Sequence, residues 1–229
     1  MKVGVIGAGT MGSGICQCFA EHGWDVAMTA SSAESAQRHK DKLAAKLAKL
    51  VAKGKMTEEA KETLLGHIIP GAKEDTCGDC DLIVECAKED MGMKKQLFTE
   101  LAAICKKDCI FSTNTSSLSI TEIGAGLDRP VVGMHFFNPA ERMKLIEVIA
   151  GVNTPRDIVE KIVSISKELG KTPVEVNEAA GFVVNRILIP LINEGAYIKM
   201  EGVSDIEGID NAMKLGANHP MGPLELGDF

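Results

Sequence analysis

Residues 2–15 read KVGVIGAGTMGSGI, and the order of residue types in this stretch decides the fold. Val3, Val5 and Ile6 make a short, β-branched apolar run, the pattern of a buried strand. Gly7 ends the run and opens Gly7-Ala8-Gly9-Thr10-Met11-Gly12. From Ser13 to Glu21 the apolar spacing turns helical, and His22-Gly23 stops it. Strand, glycine turn and helix are the context in which a G-x-G-x-x-G run receives a pyrophosphate. The first glycine makes the tight turn, the second lets backbone approach the ligand, and the third lets helix and strand pack closely. N–H groups at the helix start then face the phosphates.

Working outward, Trp24 to Thr29 reads as a second strand, and residues 33–53 as a long Lys/Ala/Leu helix closed by Gly54. Residues 57–65 form another helix, with Thr57 as its N-cap. Strands are expected at 81–87, 108–114, 131–137, 144–150 and 172–177, with helices at 93–105, 119–125 and 155–169. Such alternation predicts a doubly wound α/β domain on a mainly parallel (Rossmann) sheet over residues 1–182. After Gly181 the pattern is helical throughout, including a helix capped by Ser204. Residues 183–229 therefore read as the start of an all-helical C-terminal domain. It is too short to close its own core. A truncated product, or a domain completed by another subunit, is the expectation.

A net charge of −7 argues against general nucleic-acid binding. The first residues lack the pattern of a secretory signal, and no apolar run reaches membrane-spanning length. Seven cysteines at irregular spacing read as reduced thiols in a cytoplasmic protein. Cys77-Gly-Asp-Cys80 has the spacing of a redox or half-zinc motif. Cys105 and Cys109 are four apart and do not match it, so no metal site is expected and the first pair reads as two thiols in a surface loop.

Four further features bear on chemistry. His135 ends a strand in GMHFFNP, on the usual ligand side of such a sheet, and Glu147 interrupts the apolar run KLIEVIA twelve residues on. A carboxylate there is costly unless paired, and pairing with His135 would orient the imidazole and stabilise its charged form. Alone, His135 reads as a histidine capping a loop and Glu147 as a solvated acid; only the two together point to a pair. Asn114-Thr115-Ser116-Ser117 follows another strand, where Ser117 or Ser119 can cap the next helix. Asn185 sits at an otherwise apolar helix start. Seven Lys/Arg stand against one acid between Arg38 and Lys55. Lys42, Lys46, Lys49 and Lys53 share one helix face, which is either solvated surface or a strip for a polyanionic ligand. Finally, the acid expected about twenty residues after a dinucleotide-binding turn is absent. The second strand runs instead into Ala30, Ser31 and Ser32, and Thr29, Ser31 and Ser32 offer hydroxyl donors to the ribose in its place.

The stretches GVIGAGTMGSGI, STNTSSLSITE, GMHFFNPA, MKLIEVI, GFVVNRILIP and AMKLGANHPMGPLELGDF run over nearly the whole chain. Together they resemble the short-chain 3-hydroxyacyl-CoA dehydrogenases, closest to the bacterial 3-hydroxybutyryl-CoA dehydrogenases. The resemblance implies hydride exchange between a nicotinamide cofactor and a short 3-oxoacyl- or 3-hydroxyacyl-CoA. It assigns His135 as general acid/base, Glu147 as its orienter, Ser116 to the substrate's 3-oxygen and Asn185 to the polar pocket. Gly7, Gly9, Thr10, Met11, Gly12, Ala30, Ser31, Glu89, Lys94 and Asn114 fall at cofactor positions. Lys49 and Lys53 match lysines near the CoA phosphates. Two departures stand out: Ala30 for the family's aspartate, which admits NADP beside NAD, and Asp90 where Asn or a basic residue is usual. The alternatives are a non-catalytic dinucleotide-binding protein on the same fold, and a dehydrogenase of free β-hydroxy acids, which would leave Lys49 and Lys53 without a partner. A homodimer through the C-terminal helices is expected from the apolar Val183, Leu188, Ile189, Leu191 and Ile192.

Overall fold

A computed structural model describes residues 1–228. The chain separates into two compact units, Met1–Ala179 and Ala180–Phe229. The first begins with β1 (Lys2–Ile6), α1 (Thr10–Glu21), β2 (Asp25–Thr29), α2 (Ala33–Ala52), α3 (Glu58–Gly66), β3 (Ile68–Gly71) and α4 (Lys73–Thr76). It continues through β4 (Leu82–Glu85), α5 (Met91–Ile104), β5 (Ile110–Thr113), α6 (Ile120–Ile123), β6 (Val131–Phe136), β7 (Leu145–Ala150), α7 (Arg156–Glu168) and β8 (Thr172–Asn177). The sheet order is β3-β2-β1-β4-β5-β6-β7-β8. Every neighbouring pair is parallel except β6 and β7. The order reverses between β1 and β4, so the loops after these two strands diverge to opposite faces and leave a crevice, where ligands of such sheets bind.

Both faces of the central strands are covered, which is why β1, β4 and β6 read as apolar runs and not as alternations. Val3, Val5, Val84, Met134 and Val148 are wholly buried, with Phe19 and Ile15 of α1 packed among them. β3 is absent from the sequence reading because it is four residues long and contains Pro70. It lies at the sheet edge, where a missing N–H breaks no ladder. The antiparallel β7 follows from the eight residues between β6 and β7 (137–144), too few for a crossover helix.

Three local expectations need correction. α1 begins at Thr10, inside the glycine run, not at Ser13. The cap of the second C-terminal helix is Asp205, whose carboxylate accepts the Gly208 N–H at 2.8 Å, not Ser204. Cys77 and Cys80 do not lie exposed in a loop. Both are fully buried, their sulfurs turned beneath β1.

The second unit contains α8 (Val184–Met200), α9 (Ile206–Gly216) and α10 (Pro223–Asp228). Asp210 of α9 accepts the N–H groups of Leu224 and Glu225 at 2.8 and 3.0 Å and so caps α10. Gly195 lets α8 and α10 meet, since a Cβ there would stand 3.1 Å from Pro223.

Candidate active site

The glycine turn carries out its roles through backbone geometry. Gly7 has φ +100°, and a Cβ on it would strike the Cys86 carbonyl at 2.8 Å, so both the turn and the neighbouring strand end demand glycine there. At Gly12 a Cβ would come within 1.9 Å of the Gly7 carbonyl oxygen; helix and strand touch through backbone. Protein packing makes no such demand at Gly9, where a Cβ would meet nothing within 4 Å. α1 has neither a side-chain N-cap nor an acid in its first turn. Its first N–H groups, Thr10 to Gly12, have no acceptor within the helix, and its positive dipole end is uncompensated. That is the donor set a pyrophosphate requires, and the turn fits a dinucleotide.

Across the crevice, β4 ends in Glu85, fully buried. Its two oxygens each accept from the Lys94 ammonium at 2.8 Å, one also from the Thr113 hydroxyl at 2.6 Å, and the other from the Ala87 N–H at 2.6 Å. Sequence reasoning missed Glu85, although an acid closing the apolar run LIVE was the available signal. Lys94 is itself buried and also reaches Glu89 at 3.2 Å. Its ammonium is therefore enclosed by protein groups and stands behind Glu89. Glu89 in turn accepts the Ser116 N–H at 2.9 Å, the Thr115 hydroxyl, and the Ser116 and Ser117 hydroxyls at 3.4 and 3.3 Å. Burial pushes its carboxyl upward, but Thr115, Lys94 and the Ser116 N–H outweigh it and hold Glu89 below the usual range. Thus Glu85, Lys94 and Glu89 form one chain of contacts ending on Ser116. Asp90, the family departure, is the N-cap of α5, accepting the Met93 N–H at 2.8 Å.

Asn114 leaves β5 and its side-chain oxygen accepts the Phe136 N–H at 2.7 Å, tying the end of β5 to that of β6. One residue earlier, His135 stands directly opposite Glu147 in the antiparallel register. Its Nδ1 is 2.8 Å from Glu147 Oε2. Glu147 is 1% exposed and His135 6%, so this ion-capable pair is shielded from water. Phe137 stacks obliquely on the imidazole, 4.5 Å between centroids. Among the described residues no three His, Cys, Asp or Glu side chains are grouped to hold a metal ion.

The basic face of α2 divides. Lys46 pairs with Glu141 at 2.6 Å, and Lys40 donates to the Ile68 carbonyl at 2.6 Å. Lys49 and Lys53 are exposed. Between α2 and the glycine turn lies a cavity of about 280 Å³, lined by Thr10, Ser13, Gly14, His39, Lys42 and Lys46. At the end of β2, Ala30 is half-buried. The Thr29 hydroxyl, a donor expected to face the ribose, is buried and turned to the Val5 carbonyl at 3.2 Å. The Ser32 hydroxyl caps α2, accepting the Ser35 N–H, and leaves Ser31 exposed beside Ala30. Asn185 stands in the first turn of α8 in the second unit.

A doubly wound sheet with a dinucleotide turn at its switch point and a buried His–Glu pair on the same sheet edge defines an α/β dehydrogenase. The family follows from comparison. Residues 2–179 match the model of the 3-hydroxyacyl-CoA dehydrogenase NAD-binding domain, and residues 181–229 that of the C-terminal domain. The chain belongs to the 3-hydroxyacyl-CoA dehydrogenase family. It is 50% identical to a 3-hydroxybutyryl-CoA dehydrogenase of Clostridioides difficile, covering 100% of this chain and 82% of that protein. To the enzyme of the same name from Bradyrhizobium diazoefficiens it is 45% identical, with 100% and 78% covered. Among solved structures, the (S)-3-hydroxybutyryl-CoA dehydrogenase of Ralstonia eutropha superposes with a TM-score of 0.93 at 40% identity, covering 99% of this chain and 81% of that one.

Proposed function

We propose that this chain interconverts a short 3-oxoacyl-CoA, such as acetoacetyl-CoA, and the corresponding 3-hydroxyacyl-CoA. The observation that carries the reading is the His135–Glu147 pair, 2.8 Å apart and shielded from water, on the sheet edge that bears the glycine turn. A bound nicotinamide nucleotide supplies or accepts the hydride at the substrate's C3. Gly7, Gly9, Thr10, Met11 and Gly12 hold its pyrophosphate. With Nδ1 committed to Glu147, the Nε2 atom of His135 moves the proton: it donates to the 3-oxygen in reduction and takes the hydroxyl proton in oxidation. The Glu147 carboxylate stabilises the imidazolium and keeps the ring in one orientation. Ser116, held by Glu89, directs its hydroxyl to the 3-oxygen, and Asn185 keeps the role that the resemblance implies. The exposed Lys49 and Lys53 meet the CoA phosphates as point charges.

NAD is the family's cofactor, and Ala30 alters the terms on which it is held. An acid there would accept from the ribose hydroxyls and repel a 2′-phosphate. Ala30 does neither, while Ser31, the amino end of α2 and the exposed Arg38 leave the place hospitable to NADP. We read the chain as a homodimer through the second unit, because Val183 and Ile189 are exposed there together with Ile187, Tyr197 and Met200. Light scattering at micromolar concentration checks this, and a monomer refutes it. No helix among the described residues is long and apolar enough to cross a membrane, and seven free cysteines at irregular spacing support our reading of a cytoplasmic enzyme.

The decisive experiment follows nicotinamide absorbance on adding acetoacetyl-CoA, separately with NADH and NADPH. Consumption of at least one, abolished by His135→Ala, is expected. Failure of both to be consumed by folded protein overturns the reading.

A further inference from the structure

Glu85 has no part in the chemistry above, yet it is the most enclosed charge in the crevice. It closes β4 between Ile6 of β1 and Thr113 of β5 in the sheet register, with none of its surface exposed. A carboxylate buried there is costly unless every oxygen is met by donors. Both oxygens accept from the Lys94 ammonium, one also from the Thr113 hydroxyl and the other from the Ala87 N–H. Against apolar side chains of the same volume, such a buried ion pair adds little net stability. What apolar residues could not supply is a cation aimed at a fixed point.

That point is Glu89. An ammonium group has three N–H donors. Two from Lys94 reach the Glu85 oxygens at 2.8 Å, which leaves the third for Glu89 Oε2 at 3.2 Å and the Ala87 carbonyl at 3.5 Å. Its donors are spent on protein groups, and its side chain is only 1% exposed. Glu89 divides its two oxygens. Oε2 faces the buried cation, whereas Oε1 accepts the Ser116 N–H at 2.9 Å and the hydroxyls of Thr115, Ser116 and Ser117. Glu89 is otherwise exposed, and a solvated glutamate turns among several rotamers. The cation behind it selects the one that presents Oε1 to the turn carrying Ser116.

We propose that Glu85 and Lys94 are positioning residues for the reaction: the buried pair fixes Glu89, and Glu89 fixes the Ser116 hydroxyl for the substrate's 3-oxygen. This role rests on the dehydrogenase reading above, and it replaces the cofactor contact that the resemblance implies for Lys94. Neither residue touches substrate. Each acts two or three contacts away, through a carboxylate that the ion pair holds in one orientation.

The test measures kcat and KM for acetoacetyl-CoA reduction by the full chain, with whichever nicotinamide nucleotide the wild type consumes. Lys94→Met/Glu85→Gln removes the ion pair without leaving a lone buried charge, and urea unfolding checks that the variant is folded. It should lose kcat about tenfold or more, as a slightly misplaced group does, with KM for the nucleotide within about twofold of the wild type. In a Ser116→Ala background no hydroxyl is left to position. There the same two substitutions should change kcat by less than about twofold, since members of one network are not additive. Glu85→Gln alone keeps the ammonium beside Glu89 and should show the same pattern at about fivefold, so a double variant that fails to fold does not end the test. A raised nucleotide KM at unchanged kcat overturns the proposal and makes Lys94 a cofactor contact. A loss of kcat that persists undiminished without the Ser116 hydroxyl overturns it too, as does wild-type kcat in the folded variants. If the wild type reduces no acetoacetyl-CoA, the dehydrogenase reading falls and this role with it, whereas each of the former outcomes leaves that reading standing.

Discussion

Replacing Glu147 by Gln removes one negative charge and almost no volume from a site that is 1% exposed. The amide oxygen can still accept from His135 Nδ1 across the 2.8 Å contact, so the ring keeps its place. What disappears is the charge that stabilises the imidazolium when His135 holds the proton. A hydrogen bond to a charged partner contributes about 1.5–3 kcal/mol, a neutral one about 0.5–1.5. Here the acceptor is shielded, which favours the upper part of the charged range. The difference, roughly 1.5–2.5 kcal/mol, corresponds to about a ten- to seventyfold loss of turnover. Because Glu147 is 1% exposed and acts through His135, KM should move by less than about threefold, the pattern of an interaction made in the transition state. Steady-state kinetics with acetoacetyl-CoA and NADH, alongside a denaturation curve for the variant, decide the matter. Turnover within about twofold of the wild type would refute the dyad, and so would a loss carried mainly by KM.

Ala30→Asp should shift the ratio of kcat/KM for NADH over NADPH at least about tenfold toward NADH, chiefly by excluding the 2′-phosphate; if the wild type already favours NADH about a hundredfold, a gap of about 2.7 kcal/mol, another group holds the ribose. In Lys49→Ala/Lys53→Ala, two exposed cations contributing about 0.2–1 kcal/mol each should raise KM for the CoA substrate roughly two- to thirtyfold with kcat little changed, and an unaltered KM removes these lysines from the substrate site. Lys94→Met leaves Glu85 buried without its partner, which costs about 3–5 kcal/mol in urea unfolding; Lys94→Met/Glu85→Gln should recover much of that, and a single variant as stable as the wild type would show that the pair carries no structural weight.

Much of this protein is legible in one dimension. Residues 2–15 announce strand, turn and helix because much of their steric demand is local: Gly7 takes φ +100° at the turn, and Gly12 lies against the Gly7 carbonyl five residues before it. Thr57 and Ser119 could be read as caps for the same reason: a cap bonds three residues away. The charge on Glu147 was visible as a misfit in an apolar strand. What the sequence could not state was the company a residue keeps across the sheet. The direction of β7 sets His135 opposite Glu147, and a one-residue slip would turn Glu147 to the other face of the sheet. Thr29 looked like a ribose donor until the pleat turned it toward Val5. Lys94 looked like a cofactor contact, but Glu85, nine residues away, encloses it. Cys105 and Cys109 were set aside on spacing alone, although the Lys106–Gly78 backbone bond brings their loop against Cys77 and Cys80. Helical and strand periods, turns and caps are short-range physics and leave their mark on neighbouring residues. Ion pairs and thiol clusters depend on which strand ends the topology makes adjacent, and only the tertiary fold decides that.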